Sequence, residues 1–311
     1  MPVLVLAAND GGHLAQLRAL APHLPLTGEP LWVTAPTPQS RSMLDGERVH
    51  WIDPAPTRDW RAALRNARSV RRLFEEEEVV AAVSTGSSVA LSTLPWAARH
   101  RIPAHYIESV TRAEGFSLTG RILHRTPGVR TYTQWPHLAG DGWAHAGSVL
   151  DGLRVQRGDG HPVRRMVVSL GTSKFGFRRL VERLVQVVPA DVDVLWQTGA
   201  TDVSGLGIDA REAVPEAELV AAVRGSDAVV AHAGAGIALS ILHSGKMPIL
   251  VPRCARHREH VDDHQEQIAR GLLDAGLALV SSIDDLAWST IRDATSWSVE
   301  SADDRAPLRL A

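Results

Sequence analysis

The residues best placed to do chemistry lie at the ends of two consecutive apolar runs. The first, from Ala228, leads into His232-Ala233-Gly234-Ala235-Gly236. A helical pattern follows, and the second apolar run ends at Pro252. A charged loop then brings Asp262, Asp263, His264 and Gln265 to the start of another helix. Open parallel sheets bind ligands at the carboxyl ends of their strands. The free amides of a helix led by Gly234, Ala235 and Gly236 suit a diphosphate held without a metal, and His232 adds a donor. The amide of Gln265 both donates and accepts, which suits sugar hydroxyls. The ligand class this pattern fits is a nucleotide with an attached sugar. Asp262 and Asp263 with His257, His260 and His264 also admit a metal reading. Their spacing matches no zinc motif, and a solvated helix start accounts for the acids, so no metal is expected.

Three further places carry polar groups beside glycine. Gly11-Gly12-His13 follows the first apolar run, Val3–Ala8. Glycine there lets backbone approach a ligand, and a histidine takes a proton from a hydroxyl near neutral pH. The plain alternative is a glycine turn with a surface histidine. The spacing is not G-x-G-x-x-G, which argues against dinucleotide binding. Gly171-Thr172-Ser173 ends another apolar run and offers amides and hydroxyls to phosphate oxygens, though it lacks P-loop spacing; an ordinary turn is the alternative. In Tyr106–Trp135, Glu108 and Arg112 stand just beyond a strand, where either a salt bridge or an active-site carboxylate fits. Phe116, Leu118, Ile122 and Leu123 make a short apolar face among Arg112, Arg121, Arg125 and Arg130. Such a face suits an anionic membrane surface, or else a helix packed on the core with its arginines solvated.

The elements needed to position these groups alternate along the chain. Strands are expected at Val3–Ala8, Leu31–Ala35, Val49–Ile52, Val79–Ser84, Ala104–Ile107, Val129–Thr133, Met166–Leu170 and Asp193–Gln197. Helices are expected at Leu14–His23, Trp60–Phe74, Val89–Arg99, Phe177–Val188 and Glu216–Arg224. Asp151–Pro162 has turn residues and no apolar periodicity and reads as a linker. Two successive runs of strand-then-helix units predict an α/β protein with two Rossmann-like domains and parallel sheets. The divisions are 1–150, a linker at 151–163, and 164–311. The tail beyond Asp285 reads as weakly helical and crosses back toward the first domain.

Composition narrows the classes. The chain has 311 residues, 44% hydrophobic and 22% charged, with net charge -2, enough to bury ordinary cores and no drive toward nucleic acid. Its one cysteine, Cys254, excludes an internal disulfide and a thiolate cluster and fits a reducing cytoplasm. No run approaches the roughly 20 apolar residues of a membrane span, so any membrane contact is expected to be peripheral.

Taken together, these motifs resemble a glycosyltransferase family. The chain is similar to a fusion of the two subunits of the UDP-N-acetylglucosamine transferase of dolichol-linked oligosaccharide synthesis. It is closer to bacterial relatives in exopolysaccharide and capsule synthesis, with MurG a more distant relative. On the acceptor side the resemblance rests on Gly11–His13, on Glu108, Ser109 and Arg112, on Ser117–Arg121, and on Gln134 and Trp135. On the donor side it rests on Ser169–Thr172, His232–Gly236, Val251–Arg253 and Glu259–Gln265. It implies a GT-B architecture, two Rossmann-like domains facing across a cleft, and inverting, metal-independent transfer from a UDP-sugar to a lipid-diphosphate-linked sugar at the inner membrane face. The UDP-sugar is a co-substrate and no cofactor is implied. His13 is then the expected base, with Glu108 as the competing carboxylate. Gly171, Thr172, His232, Gly234, Ala235 and Gly236 hold the diphosphate. Gln265 holds the sugar, and Ser240, Asp263 and His264 also belong to the donor site. Gly11, Gly12, Arg112 and Arg121 face the acceptor and membrane. Where the family carries a ribose-holding glutamate, this chain has Ser240. The eukaryotic acceptor subunit carries a membrane anchor for which no run is found here. Competing readings are transfer to a soluble natural product, a non-catalytic subunit, and a sugar-nucleotide 2-epimerase.

Overall fold

The computed structural model describes residues 1–54, 60–171, 175–260, 264–302 and 306–310. The chain divides into two compact units, Met1–Asp151 with Arg305–Ala311, and Gly152–Asp304.

In the first unit the order is β1 (Val3–Ala8), α1 (Gly12–Leu20), β2 (Glu29–Thr34), α2 (Pro38–Met43), β3 (Val49–Trp51) and α3 (Trp60–Glu76). It continues with β4 (Val79–Gly86), α4 (Ser88–Arg99), β5 (Ala104–Ile107), α5 (Leu118–His124), β6 (Val129–Thr133) and β7 (Trp143–His145). The strands form a parallel sheet in the order β3-β2-β1-β4-β5-β6-β7. Every residue of β1 is buried, as a central strand covered on both faces requires. Val5, Leu31 and Val33 of the sheet meet Val70 and Leu73 of α3 and Leu94 of α4 in one core.

The second unit runs β8 (Leu153–Arg157), β9 (Arg165–Ser169), α6 (Arg178–Val187), β10 (Asp193–Gln197), β11 (Ala210–Arg211), α7 (Glu216–Gly225) and β12 (Ala228–His232). Then come α8 (Ala235–His243), β13 (Pro248–Val251), α9 (His264–Asp274), β14 (Leu279–Val280), α10 (Trp288–Ala294) and β15 (Trp297–Ser301). Its parallel sheet has the order β11-β10-β9-β12-β13-β14. Val168, Val230 and Ile249 pack with Leu180 and Leu184 of α6 and with Ile291 of α10. The expected pair of Rossmann-like halves is present.

Both sheets reverse direction of growth once. In the first the chain moves outward from β1 to β3 and returns to place β4 on the other side of β1. In the second it does the same at β9 and β12. A reversal of this kind splays the two following loops apart and opens a crevice at the strand ends.

Two expectations need correction. The segment read as a linker contains β8, paired antiparallel with β15, with Val155 opposite Val299. A two-stranded ribbon has one half-buried face, so Arg154 and Gln156 on either side of Val155 masked it. Trp297 of β15 lies under the Arg157 guanidinium, 5.2 Å from its ring centroid. The far tail does return to the first unit, so the second domain does not extend to 311. Leu308 is buried there, its N–H bonded to the His23 carbonyl at 2.8 Å.

Candidate active site

In the first unit β1 ends at Ala8, and Gly11, with φ of 78°, turns the chain into α1. His13 therefore sits in the first helical turn rather than in the preceding loop. Its Nδ1 lies 2.7 Å from the carbonyl oxygen of Thr85 at the end of β4. A carbonyl only accepts, so Nδ1 carries the proton and the lone pair of the neutral ring is on Nε2. The Thr85 hydroxyl donates back to the His13 carbonyl at 2.8 Å. Gly86 has φ of 111°, and a Cβ there would lie 2.9 Å from His13 Cε1. The imidazole is thus set by the neighbouring strand across the sheet reversal. The Ncap residues of α1 and α4, Gly11 and Ser87, make no side-chain cap, and neither helix has an acid in its first turn.

Glu108 faces inward. It is 1% exposed. Its Oε1 accepts from the Tyr106 hydroxyl at 2.9 Å and the Ser109 N–H at 3.1 Å, and its Oε2 accepts from the Ser117 N–H and hydroxyl, both at 2.9 Å. Burial pushes its carboxyl above the usual range, and these donors oppose the shift. Ser117 caps α5 by accepting from the Gly120 N–H. Glu108 therefore anchors α5 to the end of β5. A Cβ on Gly120 would come 2.3 Å from Glu108 Oε2, so glycine is required where the helix crosses the carboxylate.

A second buried network joins the loops after β1, β5 and β6. Gln16 on α1 accepts from the Val110 N–H at 2.8 Å and donates to the Ser109 hydroxyl at 3.0 Å. Gln134 donates to Gln16 and to the Glu108 carbonyl and accepts from the Val149 N–H. Arg112 is half-buried in this loop. Beyond it α5 turns outward, with Leu118 64% and Ile122 44% exposed and Arg121 and Arg125 exposed beside them.

In the second unit His232 closes β12, and its Nδ1 lies 3.3 Å from the Ser169 carbonyl at the end of β9. Gly171 has φ of 68°. Cβ atoms on Gly171 and Gly234 would fall 2.6 and 2.3 Å from the ring. The imidazole is enclosed by two glycine backbones. Gly234 is the Ncap of α8 and offers no side-chain cap, so the first amides at Ala235 and Gly236 have no intrahelical acceptor. Ser240 stands in the middle of α8, half-buried. Gln265 is buried, and its Oε1 accepts the Arg253 N–H at 3.1 Å. Thr172, Asp263 and the His264 side chain lie outside the described residues. Among the described residues no group of three or more His, Cys, Asp or Glu is placed to hold a metal, and no helix is long and apolar enough to cross a membrane.

Sequence reasoning missed Thr85 and Gly86, which seat His13, and Gln16, whose amide on an apolar helix face gave no signal. It also missed the arrangement around Arg253. The first two had a visible signal. Thr85-Gly86-Ser87 ends its strand with the same residue types as Gly171-Thr172-Ser173.

Residues 167–291 match the model of the glycosyltransferase family 28 C-terminal domain. Over 62 residues the chain is 40% identical to the UDP-N-acetylglucosamine transferase subunit ALG13 of Cryptococcus neoformans var. neoformans serotype D, a stretch covering 20% of this chain and 30% of that protein. The match thus spans under a third of the curated relative. The MurG structure from Acinetobacter baumannii superposes with a TM-score of 0.59 at 20% identity, covering 94% of this chain and 89% of MurG. The glycosyltransferase SnogD from Streptomyces nogalater superposes with a TM-score of 0.59 at 17% identity, over 95% and 91% of the two chains. The chain therefore has the GT-B fold of these structures, and its residues 167–291 are similar to the glycosyltransferase family 28 C-terminal domain.

Proposed function

We propose that this protein transfers a sugar from a UDP-sugar to a hydroxyl of a polyprenyl-diphosphate-linked acceptor, with inversion and without a metal, in cell-surface polysaccharide synthesis. The observation that carries the reading is the seating of His13, whose tautomer leaves Nε2 as the basic nitrogen. In the reaction, Nε2 takes the proton of the acceptor hydroxyl, and the oxygen attacks the anomeric carbon of the donor. The bond from that carbon to the β-phosphate oxygen breaks on the opposite face, and UDP departs. The amides at the start of α8, with His232 and the Gly171–Thr172 loop, stabilise the negative charge that develops on the leaving diphosphate. Gln265 contacts the sugar of the donor. Glu108 acts as a positioning residue that fixes α5 and the loop after β5.

Two uncapped helix starts beside His13, those of α1 and α4, support an acceptor that itself carries phosphates. The exposed Leu118 and Ile122 among Arg121, Arg125 and Arg130 support contact with an anionic membrane, at the inner face where lipid-linked acceptors are elongated. The 62-residue likeness to a UDP-N-acetylglucosamine transferase subunit supports UDP as the carrier.

The test is transfer from radiolabelled UDP-sugars to a polyprenyl-diphosphate-linked saccharide in anionic vesicles. His13→Ala is expected to lower kcat by about 100-fold or more with the fold retained. Unchanged turnover by the folded variant would remove the base assignment. Transfer to a soluble aglycone with none to the lipid-linked acceptor would replace the acceptor class. Conversion of the UDP-sugar with no acceptor present would replace transfer by epimerisation.

A further inference from the structure

Arg253, just beyond β13, is the bulkiest of the fully buried side chains among the described residues, with 0% exposure. Its Nη2 donates to the Leu170 carbonyl at 2.8 Å, and its guanidinium lies over the Phe177 ring, 5.5 Å from the centroid. Its Nε and Nη1 are buried and have no hydrogen-bond partner. Burial lowers the group to about 10, which leaves it charged at neutral pH, and Glu259 is the carboxylate that opposes the shift. Glu259 is already taken up elsewhere. Both its oxygens are held by Arg179, at 2.9 and 3.0 Å, and its Oε2 also accepts the Cys254 N–H. Among the described residues no carboxylate is hydrogen-bonded to the Arg253 guanidinium, and two of its nitrogens are unsatisfied.

Packing alone gives no reason for this arrangement, because an apolar side chain of similar volume in such a place is often neutral or stabilising. An unsatisfied buried donor is costly, and a charged one more so. The location supplies a reason. The carbonyls of Ser169 and Leu170, consecutive residues at the end of β9, are occupied by His232 and Arg253, which come from the ends of β12 and β13. The next residue is Gly171, whose left-handed turn starts the loop that would meet a phosphate. The Arg253 guanidinium, bonded to the residue before that turn, has no carboxylate partner among the described residues.

We propose that Arg253 is the positioning cation for the phosphoryl groups of a nucleoside-diphosphate donor, holding the Gly171 turn by its Nη2 and supplying a buried positive charge behind it. This rests on the donor assignment made above for the second unit. A bound diphosphate supplies the anion that Arg253 lacks among the described residues. The charge acts on phosphate and not on the nucleoside, so it separates ligands that share a base. A phosphate beside a buried guanidinium interacts in a medium of low effective dielectric and gains far more than at a surface.

The experiment is titration calorimetry of the full chain with UDP, uridine and pyrophosphate, comparing wild type with Arg253→Met and Arg253→Lys after thermal melting has confirmed folding. Arg253→Met is expected to weaken UDP by about tenfold or more and leave uridine unchanged. Arg253→Lys, which keeps the charge and loses the fork, is expected to restore part of the UDP affinity. An equal loss for UDP and uridine, or no loss for either, overturns the proposal. Pyrophosphate binding as tightly as UDP would overturn the nucleotide assignment in favour of a free-anion site. Should Arg253→Met fail to fold, the wild-type protein still decides: its Arg253 Nε–Hε resonance, assigned with Arg253→Lys, is expected to shift with UDP and stay fixed with uridine. A resonance unmoved by UDP would sink the idea. If wild type binds no UDP at all, the donor reading itself fails. If it binds UDP and Arg253→Met matches it, only the role of Arg253 falls.

Discussion

Gly86 and Gly171 have equivalent roles on two different sheets. Each lies at a strand end, each has a positive φ, and a side chain on either would strike the imidazole that the adjacent strand end seats. Gly86→Ala is therefore expected to displace the His13 ring and lower kcat by about 100-fold, while costing only about 1–2 kcal/mol of stability. Steady-state kinetics beside a thermal melt checks the separation. A second residue-scale prediction concerns His105 of β5, buried in the first sheet with Nδ1 3.0 Å from the Tyr132 hydroxyl. Burial, with Arg130 adding to it, lowers the ring from 6.5 to about 4. The folded state favours the neutral form, so the unfolded chain takes up a proton first as the pH falls. Stability is full above 6.5 and is lost toward 4, by about 2 kcal/mol between pH 7 and pH 5. Urea midpoints at the two pH values measure it, and His105→Asn should flatten the slope. The histidines and glycines of the site were legible as types beside strand ends. Their partners were not, since Thr85 is 72 residues from His13 and a backbone carbonyl leaves no trace in a sequence. Glu108 was legible as a polar residue past a strand, but the four donors that turn it inward come from folding.

At the scale of elements, α5 is the clearest departure from ordinary packing. Its inner side is held by Glu108, and Phe116, just before it, stacks on Trp143 with ring centroids 3.8 Å apart. Its outer side leaves Leu118 and Ile122 in solvent. Leu118→Ser with Ile122→Ser is expected to leave the melting temperature nearly unchanged, because neither side chain is in the core. Partition to anionic vesicles should fall by about tenfold or more, which sedimentation with liposomes reads directly. Central strands were readable because continuous apolar runs mark a sheet covered on both faces, as in β1 and β12. Short edge strands such as β7, β11 and β14 have too few residues to show a period. The strand β8 alternates only weakly and was hidden among turn residues.

At the scale of the whole molecule, each unit has its own core and its own sheet reversal, and each carries a histidine at that reversal. Two-domain organisation was therefore legible from repeated strand-then-helix runs. The return of the segment around Leu308 was not, since a few residues joining another unit leave no periodic pattern. Leu308→Ala is expected to cost about 2–4 kcal/mol. Calorimetry should show the loss in the first unit, with stabilisation of the second unit by UDP retained. The same segment has a consequence for biosynthesis. In the order of translation the second unit is an insertion within the first, because residues that complete the first are made only after the second has emerged. The first unit to leave the ribosome is thus the last to be finished, and until then the backbone groups at His23 and Ala146 that later bond Leu308 and Arg309 lack these partners. Folding of this chain during synthesis has a built-in interval in which the second unit has been made and the first still lacks its closing segment.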